Sequence, residues 1–125
     1  MDSKALRQRS RDFAIRIIKL VAALPNGRVG DVIGRQIMKS GTSIGANYRE
    51  ALRASSRKQF ISMTEISLRE AEETLDWLEL LAESNLVKKS RLSAISDECN
   101  QLVSIFVATV RSAKLRLKKP THRKT

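Results

Sequence analysis

The sequence is poor in most residues that carry chemistry. Among 125 residues there is one cysteine and one histidine, so neither an internal disulfide nor a His/Cys metal cluster can form. The lone Cys99 fits a reducing compartment, and a cytoplasmic location is expected. Two prolines and five glycines leave few places to turn, which favours long helices over many short strands. Aromatic residues make up only 4%, so the core must be built from Leu, Ile, Val and Ala, and a platform for stacking bases is missing. No apolar run approaches the ~20 residues of a membrane span. The first ten residues, Met1 to Ser10, lack the apolar stretch of a signal peptide. No nucleophile–base pair or phosphate loop is visible, so no enzymatic activity and no cofactor are expected.

What the chain has is positive charge. Charged residues are 30% of the total and the net charge is +11. The charge is unevenly spread. Residues 1–19 carry six basic and two acidic side chains, and residues 20–58 seven and two. Residues 59–110 reverse the sign with four basic and nine acidic, and residues 111–125 carry seven basic and no acidic. Such asymmetry points to an anionic partner and to self-complementary contacts between subunits.

Apolar residues recur at helical spacing throughout. Leu6, Phe13, Ile17, Leu20 and Leu24 mark a first helix over about 5–24, which Pro25-Asn26-Gly27 stops. A second runs from Val29 or Asp31 to Ala54. Ser55-Ser56 provides the next N-cap. The third helix, about 57–84, repeats Ile61, Thr64, Leu68, Ala71, Leu75, Leu78 and Ala82 at alternating steps of three and four, the seam of a helix bundle. Its outer surface is acidic. Asn85 suits a left-handed cap, and Ser90 a further N-cap. Leu92, Ile95, Cys99, Leu102, Phe106, Thr109 and Ala113 then mark a fourth helix. The expected fold is all-α: one up-down-up-down antiparallel four-helix bundle over residues 1–125, with a basic C-terminal tail from about residue 115 that frays at its far end.

The second helix carries three faces at about 100° per residue. Ile33, Ile37, Ile44 and Ala51 face a core. Gly34, Gly41 and Gly45 line a second face, with Tyr48 at its edge. Each interior glycine costs up to ~1 kcal/mol relative to alanine, so some close contact must offset it. That contact lies either within the chain or between subunits. Asn47 is expected to be a buried hydrogen-bonding residue. Arg35, Lys39, Arg49 and Arg53 form a basic stripe opposite the isoleucines. The stripe is a solvated face, a phosphate-binding surface, or a partner for the acidic third helix of a neighbour.

Two motifs carry a resemblance. Ser40-Gly-Thr-Ser-Ile-Gly-Ala-Asn47 with Glu50-Ala51, and Glu70-Ala71-x-Glu73-Thr74-x-x-Trp77-Leu78-x-Leu80-Leu81 preceded by Ser56-x-x-x-Phe60-Ile61, resemble the bacterial four helix bundle proteins. These are also called 23S ribosomal RNA intervening-sequence proteins. Many members have Ser-Ile-Pro-x-Asn where this chain has Ser43-Ile44-Gly45-Ala46-Asn47. The resemblance spans about 13–113. It implies a cytoplasmic bundle that assembles into a homo-oligomer, with pentamers favoured, and no enzymatic activity.

Two functions are therefore expected, in order. The first is a non-catalytic accessory protein that binds RNA or DNA without base specificity, through Arg35, Lys39, Arg49 and Arg53 together with Lys114, Arg116, Lys118 and Lys119 of the tail. The second is a scaffold for an acidic protein partner. Glu70, Glu73 and Asp76 read as a solvated face, because a di-metal bundle needs Glu-x-x-His pairs in its core. Trp77 reads as packing, and Cys99 as an inert core residue.

Overall fold

The computed structural model describes residues 1–118, which form four α-helices: α1 Ser3–Ala22, α2 Arg28–Ala51, α3 Arg57–Glu83 and α4 Lys89–Lys118. There is no strand among the described residues. Each helix begins and ends for a local reason. The Asp2 carboxylate accepts the Ala5 N–H at 2.7 Å and caps α1, and the Ser56 hydroxyl accepts the Gln59 N–H at 3.1 Å and caps α3. Gly27, at φ 141°, turns the chain into α2 through a conformation closed to other residues. Asn85, at φ 63°, supplies the expected left-handed turn after α3.

Several boundaries differ from expectation, four of them for local reasons. α1 ends at Ala22, ahead of Leu24, because a residue preceding proline avoids the helical region. α2 ends at Ala51 rather than Ala54, since Arg53 and Ala54 bond three residues back, to Glu50 and Ala51, in a tightened turn. α4 starts at Lys89, so Ser90 sits inside it and does not cap it. At its other end α4 continues to Lys118 although its buried stripe stops at Ala113. The first residues of the expected tail are therefore helical: Leu, Lys and Arg are strong helix formers, and cations suit a helix C-terminus. Lys119 and the rest of the tail lie outside the described residues.

Side-chain contacts fix the directions. Gly45 lies against Ser10 and Gly34 against Leu24. The Ser67 hydroxyl donates to the Ile44 carbonyl at 2.9 Å, the Thr74 and Ser40 hydroxyls bond each other at 2.8 Å, and the Cys99 thiol donates to the Ala71 carbonyl at 3.3 Å. Neighbouring helices thus run antiparallel, up-down-up-down. Between them lies a core of Phe13, Ile17, Ile37, Ile44, Leu78, Leu81, Leu92, Leu102 and Phe106, each no more than 1% exposed. Burying a side chain of this size stabilises the fold by roughly 1.5–3 kcal/mol.

The buried stripe of α2 revises the three-face reading. Gly30, Gly34, Ile37, Gly41, Ile44, Tyr48 and Ala51 are all buried and advance in alternating steps of four and three. Gly34 and Gly41 thus belong to the core seam itself, on the side turned to α1, while Gly45 and Ile33 are only half-buried. Tyr48 is 2% exposed and packs edge-on to Phe106 and Phe60, ring centres 5.4 and 6.4 Å away. It is a core residue and not an edge residue, because it stands four places after Ile44 and three before Ala51. Asn47 is half-buried and donates to the Ser43 carbonyl at 2.8 Å.

Candidate nucleic-acid interface

The antiparallel order places the start of α1, the end of α2, the start of α3 and the end of α4 at one end of the bundle. A plane through Ser10, Gly45, Ser67 and Val103 divides the described residues into two halves. The half containing residues 1–10, 45–67 and 103–118 has eleven basic and three acidic side chains, net +8. The other half, 11–44 and 68–102, has ten of each, net zero. All the net charge of the described residues therefore sits in one half.

Among the sequence-derived candidates, Arg49, Arg53, Lys114, Arg116 and Lys118 belong to this basic half, and all are exposed. Lys114 reaches Glu65 of α3 at 2.9 Å. Arg35 and Lys39 are also exposed but lie in the neutral half. Ten residues separate Lys39 from Arg49, about 15 Å along the helix. Lys39 is close enough to Glu70 to draw its pKa down, against the larger upward effects of burial and of Glu73. The stripe on α2 is thus divided between two electrostatic surroundings.

Four further cations at the basic end were not singled out in the sequence: Lys4 and Arg7 on α1, and Arg57 and Lys58 at the start of α3, all exposed. The signal for them was the topology, which gathers helix ends that are distant in sequence. Lys4, Arg7, Arg11 and Arg49 border a groove of about 640 Å³ between α1 and α2, over Ala14, Ile15 and Ile18. The two helices approach each other closely. Gly41 would place a Cβ 2.8 Å from Ile17 Cγ1, and Gly45 one 3.2 Å from Ser10 Cβ. The partner of the glycines here is therefore α1 of the same chain.

Arg9, unlike the other cations of this end, is half-buried. Its guanidinium donates to both Glu98 carboxylate oxygens, at 2.6 and 2.7 Å, and to Gln101 at 2.6 Å. This bidentate pair holds α1 to α4, lowers the Glu98 pKa and raises that of Arg9. Burial pushes the Cys99 thiol up to about 12, so it stays protonated and unreactive. Burial, then the charge of Asp2, also raises Tyr48. Among the described residues no three His, Cys, Asp or Glu side chains form a metal-holding group, and no helix is long and apolar enough to cross a membrane.

A family model described as 23S rRNA-intervening sequence protein matches residues 3–108. A crystal structure from Bacteroides thetaiotaomicron, of a protein with unknown function from the S23 ribosomal protein family, is 37% identical. It superposes with a TM-score of 0.79 over 84% of this chain and 97% of that one. No curated protein matches the chain.

Proposed function

The chain belongs to the 23S rRNA-intervening sequence protein family, and from that premise we propose that it is a non-catalytic accessory protein that binds the phosphate backbone of RNA or DNA through the basic end of its bundle. The observation that carries the reading is the concentration of charge: a net +8 in one half of the bundle and zero in the other. Of the eleven cations there, only Arg9 and Lys114 pair with an acid among the described residues. Exposed cations on four converging helix ends neutralise phosphates and release counterions, which requires no base contact. The cations of α2 and α4 enter as one surface, while Arg35 and Lys39 stand outside it.

Self-association accompanies this reading, with five copies favoured by the family resemblance. The glycines no longer argue for it, because α1 occupies them. What supports it is the opposition between the acidic outer face of α3 and the basic α1–α2 side.

The test is a gel-shift titration against mixed RNA at two salt concentrations, with sedimentation equilibrium on the same samples. Arg49→Glu with Arg53→Glu is expected to weaken binding by about tenfold or more and to flatten the log-affinity against log-salt slope by about two. Arg35→Glu is expected to have a smaller effect. No binding by the parent at low salt would transfer the basic end to an acidic protein partner. Monomer alone at micromolar concentration would remove the oligomer.

A further inference from the structure

Beyond the Arg9–Glu98 bond the seam between α1 and α4 opens, toward the end where α1 stops and α4 begins. The side chains there leave a groove of about 630 Å³, within the ~300–1,000 Å³ of small-molecule sites. Its floor is apolar. Leu20, Leu24 and Leu86 are half-buried against the core, and Val87 and Ile95 are 9% and 6% exposed. Its rim carries Arg16 and Lys19 from α1, Lys88 from the turn before α4, and Arg91 from α4. No carboxylate among the described residues lines it. Glu98, close enough to feel the charge of Arg16, is already bonded to Arg9.

This concentration of cations is not a share of the basic end. It stands in the half of the bundle where acidic and basic residues balance. The groove between α1 and α2, by contrast, continues the basic end. The hollow on the α3–α4 side brings its own carboxylate, Glu65, paired with Lys114.

We propose that the α1–α4 groove binds a single-chain amphiphilic anion, an aliphatic carboxylate or phosphate monoester, with its alkyl body on the leucine floor and its head among the four cations. A bare phosphate would meet only exposed, screened cations and leave the floor wet. A neutral alcohol of the same length would cover the floor and leave the cations without a partner. An amphiphilic anion uses both, since apolar burial and charge pairing then act on one molecule. The groove is a concave site between two helices, so the occupant is a free amphiphile rather than a bilayer surface. The proposal is independent of nucleic-acid binding.

The experiment is calorimetric titration of the full chain with decanoate below its micellar concentration. Decanol, inorganic phosphate and phosphatidylglycerol vesicles serve as separate arms. The expected result is saturable binding, one decanoate per chain, at least about tenfold tighter than decanol or phosphate. Lys19→Gln with Arg91→Gln, which keeps side-chain stems over the floor, should weaken decanoate by about tenfold with thermal unfolding unchanged. Arg49→Glu with Arg53→Glu should leave it as in the parent. Decanoate binding no tighter than decanol, equal binding by both variants, or vesicle binding without saturable decanoate binding would each overturn the proposal.

Discussion

α1 is held on its two flanks by opposite means. Against α2 the backbones close on each other, with Gly41 seated over a fully buried Ile17 and Gly45 over Ser10. Against α4 the seam is thin. The side-chain bonds that cross it run from Arg9 to Glu98 and Gln101, and beyond them the groove opens. Close packing acts through short-range contacts that salt does not screen and that tolerate no added volume. A partly exposed ion pair depends on protonation and contributes on the order of 1 kcal/mol. One flank therefore fixes the geometry of α1, and the other leaves room for a ligand.

The sharpest way to break this comparison is to add volume on the closed flank. A Cβ at Gly41 would sit 2.8 and 2.9 Å from the two γ-carbons of Ile17 and 3.2 Å from its Cβ. Ile17 is β-branched and has no space to rotate into. Gly41→Leu is expected to lose roughly 3 kcal/mol or more in urea denaturation, well beyond the ~1 kcal/mol gained in helix propensity. Adding Ile17→Ala should return a large part of the loss, because the two side chains compete for one volume. If Gly41→Leu keeps the parent midpoint, the flank is not closed.

The α1–α4 flank predicts a smaller effect, and one that depends on pH. Glu98 has a folded pKa below its unfolded value, chiefly through its hydrogen bonds from Arg9. Its contribution is therefore full above the unfolded carboxylate pKa, about 4.3, and is lost as pH falls through the lower folded value. Glu98→Gln is expected to cost about 1 kcal/mol at pH 7. The gap between parent and variant should narrow as pH drops below about 4, where the parent carboxylate also takes up a proton. Thermal unfolding of both proteins across pH 3–7 measures it. A gap constant with pH would mean that Gln101 and packing, not charge, hold the seam.

The bundle was legible because its seams are long and its turns few. Periodicity in α3 and α4 marks residues the structure buries, such as Thr64, Ala71, Leu78, Cys99 and Phe106, but at four steps the buried residue is the neighbour: Ser67, Thr74, Leu81 and Val110 in place of the half-buried Leu68, Leu75, Ala82 and Thr109. Along α2 the same alternation reads as two faces, because glycine gives no hydrophobic signal to continue the run Gly34, Ile37, Gly41, Ile44, Tyr48. Helical spacing from the glycines puts Tyr48 at the edge of their face, whereas its ring sits against Phe106. The basic end was the least legible. Spacing along a single helix groups Arg35 with Arg53. The electrostatic unit runs across helices instead, joining Arg7, Arg53, Arg57 and Arg116 through chain topology. The local pattern of no single helix contains it.

The smallest expected effect sharpens the comparison within the closed flank itself. A Cβ at Gly34 would lie 3.1 Å from Leu24 Cδ1 and 3.3 Å from Val21 Cγ1. Both are ends of half-buried side chains, and Leu24 also borders the α1–α4 groove, so it has somewhere to move. At this site alanine gains helix propensity and reduces the freedom of the unfolded chain, together up to about 1 kcal/mol. Moving Leu24 by a few tenths of an ångström recoups only part of that gain. Gly34→Ala is therefore expected to be neutral or to raise the melting temperature by no more than about 4 °C. The same variant should weaken decanoate, because it displaces Leu24, part of the floor on which the alkyl chain lies. A loss of more than about 1 kcal/mol would show that α1 and α2 stay closed to the end of α1, and that the leucines of the groove are as rigid as Ile17.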